Sequence, residues 1–295
     1  MAFAQTIVVD PNGSDSAGSG TIAAPYKTIA KGLAVASSRA PTTSNRICVL
    51  AMPGQYAETT DLKLPRWTWL CGLNQGMHAR FTIVSSTGAI GIDSQNWNPV
   101  NDGDQGGFAN IRFASAVTVT GPQAPNGQDV VVDFTFCRFN TDVSWTYFSS
   151  GADIEFFLCI HEGNLTGTHG AFYSNQSNFN NCTVAMGGTA EHINSTFGNV
   201  TLTQASGITG GDPMFFVACN MNALSVSGTG AVVSADSISL PPAASITLAG
   251  GAALQNLGDC SSLTYTPAVA GNWASTPPAT VQAALDRIAA KTPGA

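Results

Sequence analysis

Basic residues are scarce in this chain, and its middle and later parts have none. The 295 residues include 11 Lys and Arg against 18 Asp and Glu, which gives a formal charge of −7 at pH 7. No Lys or Arg occurs between Phe139 and Asp286. Such a chain repels phosphate backbones and anionic lipid headgroups. We therefore expect neither nucleic acid nor a membrane among its partners.

Long apolar runs and targeting signals are lacking too. No apolar stretch reaches the roughly 18 residues that a membrane-spanning helix needs. The segment from Met1 to Gln5 leads straight into a strand-like run, without the basic and long apolar regions of a signal peptide. We therefore expect a protein that is made in the cytoplasm and carries no signal peptide.

Helical periodicity is nearly absent, whereas strand-like runs are frequent. These runs are short and rich in β-branched and aromatic residues, and Gly, Asn, Ser and Asp fill the gaps between them. Only 10% of the residues are charged, and 31 are glycine. The pattern predicts an all-β protein with strands at 6–9, 47–50, 81–84, 117–120, 130–136, 154–158, 200–203 and 214–217.

The spacing of the cysteines predicts how the strands are arranged. The same interval, roughly 22–23 residues, separates Cys48 from Cys71, Cys137 from Cys159, and Cys159 from Cys182, and such an interval marks a repeat architecture. The units of such an architecture bury their apolar faces by stacking. A coil of about 22 residues holds three short strands with turns between them. We therefore predict a parallel β-helix, a solenoid built from coils of that length.

The same repeat predicts where the thiols lie. We expect the side chains of Cys137, Cys159 and Cys182 to form one inward ladder, with Ser195 in the cysteine position of a later copy. Cysteine buried in this way behaves as a small apolar residue. The seven cysteines form no CxxC pair and the four histidines are scattered, so we expect no metal and no cofactor. Disulfides between adjacent coils are the alternative.

The N-terminal part reads as a cap for an open solenoid end. Residues 1–46 combine a strand, a Gly/Ser/Asp loop and a short amphipathic helix with Ile29, Leu33 and Ala36 on one face. An uncovered end exposes core and unpaired backbone. We expect residues 1–46 to cover that end, and the β-helix to occupy residues 47–260.

The character of the sequence changes after Cys260. We interpret residues 261–274 as a linker and residues 275–295 as a C-terminal helix that Thr280 caps and Pro293 ends. A helix of about eleven residues is marginal alone. We expect it to bury its apolar stripe on the last coil or on copies of itself in other subunits. The residues that we assign to this oligomerisation contact are Trp273, Val281, Leu285 and Ile288.

Two segments resemble known families. Asp10-Pro11-Asn12-Gly13-Ser14-Asp15, followed by Met52-Pro53-Gly54-Gln55-Tyr56-Ala57-Glu58 and Leu70-Cys71-Gly72, resembles the opening of pectate-lyase-like right-handed β-helix proteins. Trp273, Pro277-Pro278-Ala279-Thr280-Val281-Gln282 and Leu285-Asp286-Arg287-Ile288 resemble a module of tail-fibre, spike and related virion proteins of tailed bacteriophages. The first resemblance implies a right-handed β-helix. The second implies a trimerising or docking element.

Catalytic groups are hard to find. Pectate lyases use Arg or Lys to abstract a proton, and the middle and late coils have neither. A glycosidase needs two carboxyl groups about 5–10 Å apart, and the candidates are Asp153, Glu155 and Glu162, with His161 beside them. Asp153 and Glu155 share one face of a strand. The next coil, near residues 175–178 and 185, offers them no acidic partner. We therefore expect no catalytic site.

Taken with the two resemblances, these features predict a non-enzymatic structural protein of a tailed-phage virion. The protein would be a homotrimeric β-helix appendage, either a tail fibre or spike, or a capsid decoration or head-fibre protein. Its partners would be copies of itself, other virion proteins and, in a receptor-binding role, a host-surface glycan. The alternatives are a carbohydrate-active β-helix enzyme of the glycosidase type and a non-viral carbohydrate-binding solenoid.

Overall fold

The computed structural model describes residues 2–73, 82–92, 104–120, 130–146, 152–168, 171–186, 190–204, 214–228, 232–236, 238, 245–249 and 253–255. Within these ranges the chain forms one helix, α1 (Ile29–Ser38), and 25 strands. The strands are β1 (Gln5–Val9), β2 (Ile47–Ala51), β3 (Gly54–Glu58), β4 (Leu62–Leu64), β5 (Thr68–Gly72), β6 (Thr82–Ser86), β7 (Ile90–Ile92), β8 (Asp104–Ala109), β9 (Arg112–Phe113), β10 (Val117–Thr120), β11 (Val130–Thr135), β12 (Arg138–Phe139), β13 (Val143–Thr146), β14 (Ala152–Phe157), β15 (Ile160–His161), β16 (Asn164–Thr168), β17 (Ala171–Asn175), β18 (Asn178–Met186), β19 (Ala190–Ile193), β20 (Thr196–Gln204), β21 (Met214–Val217), β22 (Asn220–Ser227), β23 (Val232–Asp236), β24 (Ser245–Ala249) and β25 (Ala253–Gln255).

The strands stack into a parallel β-solenoid, which confirms the predicted fold class. Sheet I contains 11 strands in the order β1-β2-β5-β8-β11-β14-β17-β19-β21-β23-β25. Sheet II contains 12 strands in two rows that merge in β18: β3-β6-β9-β12-β15 and β10-β13-β16, followed by β20, β22 and β24. Strands β4 and β7 form a separate pair. Each strand therefore lies beside the strand of the next coil, as a β-helix requires.

The coils vary in length around the predicted average. In sheet I, Asp133 pairs in register with Glu155, as the cysteine interval predicts. The next coil is shorter, because Glu155 pairs with Tyr173. A later coil is longer, because Glu191 pairs with Phe215. The average was therefore predictable from the sequence, but the partner of any one residue was not.

Stacked aromatic side chains fill the inside of the solenoid. Phe134 lies between Phe108 and Phe156, with ring centroids 5.1 Å apart on each side. On sheet II, Phe113 stacks on Phe139 in the same way. Rings at this separation gain contact energy beyond the burial of their area. The core is thus a set of continuous rows that run along the solenoid.

A repeated left-handed corner follows sheet I in six successive coils. The corner residues have φ between 50° and 57°, although only two of them are asparagine. Such a φ is uncommon for other side chains, so the stacking of the coils must hold it in place. The corner residues are Asn110, Phe136, Leu158, Gln176, Asn194 and Ala218.

The residue after each corner points into the core, and this position explains most of the cysteines. The Sγ of Cys159 donates to the carbonyl oxygen of Phe134 at 3.2 Å, and the Oγ of Ser177 donates to that of Phe156 at 3.1 Å. Cysteine and serine thus serve as small donors to the preceding coil. The successive residues at this position are Ile111, Cys137, Cys159, Ser177, Ser195 and Cys219.

The predicted ladder of Cys137, Cys159 and Cys182 is therefore wrong in its third member. Cys182 is buried on strand β18, opposite Leu165, and Ser177 takes the corner position. The coil that follows Cys159 is shorter than the cysteine interval, so that interval was coincidental here. The assignment of Ser195 to the cysteine position is confirmed, because its Oγ lies 3.3 Å from the amide nitrogen of Ser177.

Cys48 and Cys71 are not equivalent either. In the parallel pairing of β2 with β5, Cys48 lies opposite Trp69, and Cys71 lies opposite Leu50. The two cysteines are thus two positions out of register. The coil that joins β2 to β5 is therefore shorter than the interval between these cysteines.

The predicted N-terminal cap is confirmed. Helix α1 buries Ile29, Leu33 and Ala36 against the first coil, and β1 extends sheet I beyond β2. The Oγ1 of Thr28 accepts a hydrogen bond from the Lys31 amide at the helix N-terminus. The Glu58 carboxylate of β3 accepts another from the Ile29 amide at 2.7 Å. The first coil therefore supplies part of the cap of the helix that covers it.

Strand β8 requires glycine at one position, where two coils approach each other closely. Residues 104–107 belong to β8, and Gly107 lies between Trp69 and Asp133 in sheet I. A Cβ atom at Gly107 would lie 2.4 Å from the carbonyl oxygen of Asp133, so the close approach of two coils requires glycine there. The division at residues 47, 261 and 275 stays a prediction.

Candidate functional site

The outer side of sheet I carries a row of acidic and aromatic side chains. Asp133, Glu155, Tyr173, Glu191 and Phe215 pair in register across five successive strands, β11 to β21. Glu155, Glu191 and Phe215 are exposed, and the other two are half-buried. We call this set the carboxyl row. It brings together groups that lie far apart in the sequence, since each comes from a different coil.

Asp133 has the most perturbed carboxyl group of the row. Burial, together with the charge of Glu155 and a hydrogen bond to it, raises the pKa of Asp133 to about 7. At neutral pH this group is therefore divided between its acidic and ionised forms. A carboxyl group of this kind can give or take a proton near pH 7.

Asp133 is not among the carboxyl groups predicted from the sequence, because it lies one coil behind Glu155 and the prediction placed the partner of Glu155 one coil ahead. From Glu155 the expected partner lay one coil ahead, near residues 175–178, where no acid occurs. The residue one coil ahead is Tyr173, and the acidic partner lies one coil behind Glu155. The cysteine interval applied backwards from Glu155 points to Asp133.

The structure separates the other carboxyl candidates. Glu162 lies next to the short strand β15 of sheet II, where it forms an ion pair with Arg138. His161 points into the core instead, so it is not part of a site with Glu162. Asp153 stays on the outer side of sheet I, on the same strand as Glu155. Of the predicted candidates, therefore, only Asp153 and Glu155 share a surface.

The two buried histidines have opposite surroundings. His161 stacks between Phe139 and Phe179 at 4.3 and 4.5 Å, and neither of its ring nitrogens has a hydrogen-bond partner. The Nδ1 of His192 lies 2.8 Å from the Oγ of Ser174. Burial lowers the pKa of both His161 and His192 to about 3. Both rings are therefore neutral near pH 7 and closed to any substrate.

Most of the thiols are held in their neutral form; Cys48 is the exception, because a hydrogen bond from the Cys71 thiol lowers the pKa of Cys48. Burial raises the pKa of Cys159, Cys182 and Cys219, which keeps each of them in the thiol form near neutral pH. All six cysteines in the described ranges are unpaired. Within those ranges, no three His, Cys, Asp or Glu side chains form a group that could hold a metal ion.

The geometry of the carboxyl row limits its chemistry. A glycosidase needs about 5–10 Å between its two carboxyl groups, so that a sugar or water fits between them. The Asp133 and Glu155 carboxyl groups instead contact each other directly. Glu191 lies two coils beyond Glu155, roughly 10 Å away along the stack, with Tyr173 between them. Contact therefore disfavours the first pair, and the second pair lies slightly beyond the roughly 6.5–9.5 Å of an inverting glycosidase.

Trp273, Val281, Leu285 and Ile288, the predicted oligomerisation residues, lie outside the described residues. Among the residues that the structure describes, no helix is long and apolar enough to span a membrane. The chain matches no protein-family model, no curated protein and no solved structure. The fold and the chemistry of the surfaces are therefore the basis for a functional proposal.

Proposed function

We propose that the chain is a non-enzymatic structural protein of a tailed-phage virion, a homotrimeric β-helix appendage. It would serve as a tail fibre or spike, or as a capsid decoration or head-fibre protein, in contact with other virion proteins. The observation that carries the proposal is a parallel solenoid whose coils are joined by rows of core side chains and whose one outer pair of contacting carboxyl groups, Asp133 and Glu155, leaves no room for a sugar. Such a body is suited to a rigid connector or rod.

Rigidity follows from how the coils are joined. Each coil bonds to the next through two sheets and through the inward donors at the corner. Eleven strands at roughly 4.8 Å give sheet I a length of about 48 Å. Bending this stack would break backbone bonds and ring contacts in several rows at once. The first end has its own helical cap, so growth or docking is left to the other end and to the sides.

The trimer is tested by removing residues 272–295. We expect the full chain to have the mass of a trimer by light scattering and the truncated chain to be a folded monomer by circular dichroism. A double substitution, Leu285→Asp with Ile288→Asp, should have the same effect, because charges on the apolar stripe prevent its burial. The control is Asp286→Asn. A truncated chain that remains trimeric contradicts the assigned contact.

Membership of a virion is tested separately. Antibodies against the chain should label purified particles whose genome encodes it. Label at the tail tip would indicate a fibre or spike, and label over the head would indicate decoration. If the chain is detected in the infected-cell lysate but not in purified particles, the virion assignment is refuted.

A carbohydrate-active enzyme is the second candidate, and one observation favours it. Asp133 has a pKa of about 7, which suits an acid or base near neutral pH. The exposed ring of Phe215 and the half-buried Tyr173 could contact sugar rings in the same row. The absence of Lys and Arg from residues 139–286 disfavours anionic polyuronates as substrates.

Release of reducing ends from polysaccharides decides between the two candidates. Under the structural proposal, the full chain releases none above background from dextran, galactomannan or polygalacturonate. Release that Asp133→Asn or Glu155→Gln abolishes, with Glu162→Gln as the matched control, would establish the enzyme instead. Glu162 is a suitable control because it is paired with Arg138 on a different surface.

A further inference from the structure

A regular array of small hydroxyl side chains covers the outer side of the second row of sheet II. Parallel pairing places these residues in two files, one residue from each strand in each file. We call the array the hydroxyl face. The first file is Thr118, Ser144, Thr166, Thr183, Thr201, Ser225 and Thr247. The second file is Thr120, Thr146, Thr168, Ala185, Thr203, Ser227 and Ala249, so its two alanine positions lack a hydroxyl group.

The array repeats in two directions. Along the solenoid the rungs lie about 4.8 Å apart, and along each strand the files lie two residues, roughly 6.6 Å, apart. In five of the seven rungs a buried side chain lies between the files, as Val184 and Leu202 do; the exceptions are Gly167 and the partly buried Leu248. Threonine is also restricted at χ1. The hydroxyl positions are therefore largely fixed before any ligand arrives.

A ladder of asparagines stiffens one border of the face. The Nδ2 of Asn181 donates to the Oδ1 of Asn164 at 3.0 Å, and the Nδ2 of Asn199 donates to the Oδ1 of Asn181 at 3.0 Å. These amides bond to each other across coils. They therefore hold the strands of the row in register next to the first file.

The strands of the hydroxyl face carry no charged residue, although Asp142 lies at the border, where its Oδ1 accepts a hydrogen bond from the Asn164 amide at 2.8 Å. The seven strands of the face, β10, β13, β16, β18, β20, β22 and β24, contain no Asp, Glu, Lys or Arg. Their aromatic residues Trp145, Phe179 and Phe197 are buried in the core. The carboxyl row on sheet I, by contrast, combines charge with exposed aromatic surface. The two outer faces therefore suit different partners.

Size and composition exclude several partners for the hydroxyl face. Seven rungs and two files cover roughly 30 by 10 Å, about 300 Å², which is well below the roughly 800 Å² per partner of a stable protein interface. The two files of the hydroxyl face contain no aromatic side chain, so the face lacks the usual anchors of such an interface. A face whose strands carry no charged residue has no complement for anionic polymers. The remaining partner is one that is itself uncharged and periodic in two directions.

We propose that the hydroxyl face binds the surface of ice. Each hydroxyl group donates one hydrogen bond and accepts others, so it can join a lattice in which every water does the same. A single contact is weak, but a rigid array makes many contacts together at little cost in ordering. Liquid water has no fixed repeat, so the array would bind ice in preference to liquid water. This proposal is independent of membership in a virion.

Ice recrystallisation tests the proposal on the full chain. We expect the wild-type protein to keep ice grains small on annealing, compared with an equal mass of serum albumin. Thr166→Lys with Thr201→Lys should require roughly tenfold more protein for the same grain size, because long charged side chains end simultaneous contact with the lattice. The matched control is Thr135→Lys on the outer side of sheet I. Circular dichroism checks that each variant is folded.

Two results would overturn the proposal. The first is that ice grains grow as fast in the presence of the wild-type chain as in the presence of albumin. The other is that the substitutions at Thr166 and Thr201 leave the effect on grain size unchanged. Retardation of the protein by dextran in affinity electrophoresis, lost in the same variants and without any effect on ice, would assign the face to a neutral polysaccharide instead.

Discussion

The inward row of sheet I is built differently in its two halves. In β8, β11 and β14 the row consists of Phe108, Phe134 and Phe156, which stack ring on ring. In the next two coils the same row contains Ser174 and His192, which hydrogen-bond to each other at 2.8 Å. A solenoid therefore accepts polar residues in its core when adjacent coils supply their partners, since a buried polar group without a bond is costly.

His161 departs from that rule. It occupies a rung of the phenylalanine row on sheet II, stacked as a flat ring between Phe139 and Phe179, with both ring nitrogens unpartnered. Its shape suits the aromatic row, but its nitrogens have no partner there. The core therefore contains three kinds of rung: aromatic rings that stack, polar side chains that hydrogen-bond to each other, and a stacked ring, His161, that makes no hydrogen bond.

The largest expected effect is at a purely aromatic rung. Phe134→Ala should lower the free energy of unfolding by about 3–5 kcal/mol, since it removes a buried ring with aromatic neighbours on both sides and leaves a cavity. Ser174→Ala in the polar half should cost only about 1–2 kcal/mol, from the lost bonds to His192 and Ser195. Urea unfolding measures both. Equal losses would contradict the distinction between the two halves.

Acid should destabilise the protein through its buried histidines. The folded pKa of His161 and His192 is about 3, below the unfolded value near 6.5. The unfolded state therefore binds more protons between these values, and stability falls as the pH drops below about 6.5. Each histidine should cost about 1.4 kcal/mol per pH unit. Melting temperatures of an Asp133→Asn variant at pH 7 and pH 5 measure this without the opposite contribution of Asp133, and equal values would refute it.

The two histidines should respond in opposite ways to replacement by phenylalanine. His161→Phe should raise stability at pH 5 by about 1–2 kcal/mol, because it removes two unpartnered nitrogens and extends the stacked row. His192→Phe should lower stability at pH 7, because Ser174 loses its partner inside the core. Urea midpoints for the two variants at both pH values measure this. A stabilising His192→Phe would show that the serine bonds contribute little.

Asp133 lies on the outer side of the aromatic half. Its effect on stability should be smaller than that of the histidines and should depend on pH in the opposite sense. Asp133 has a folded pKa of about 7, above its unfolded value near 3.8. The folded state therefore binds more protons between these values, and this contribution to stability is lost as the pH rises toward 7. Asp133→Asn should raise stability at pH 8 by on the order of 1 kcal/mol, less than the shift in pKa alone implies because solvent screens this partly exposed group, and it should have little effect at pH 4. The control is Glu191→Gln on the same row. No gain at pH 8 would contradict the raised pKa.

The amino-acid sequence by itself determined the class of fold. Short β-branched and aromatic runs, separated by turn residues, predict strands, and the recurring cysteine interval predicts stacked coils. Both depend on local pattern and on the average repeat, so a single sequence suffices. The helix with Ile29, Leu33 and Ala36 on one face was predictable for the same reason. The position of Ser195 was predictable because Asn194-Ser195-Thr196-Phe197 resembles the segments around the cysteines.

Only the tertiary structure decided which residues become neighbours. One short coil and one long coil place Tyr173 and Phe215 next to Glu155 and Glu191, where an even repeat would place other residues. Stacking also holds Phe136 at positive φ, against its intrinsic preference. Turn length varies freely from coil to coil, whereas the hydrogen bonds and ring contacts between coils do not. The carboxyl row, the hydroxyl face and the unbonded His161 therefore arise from stacking, which no local pattern encodes.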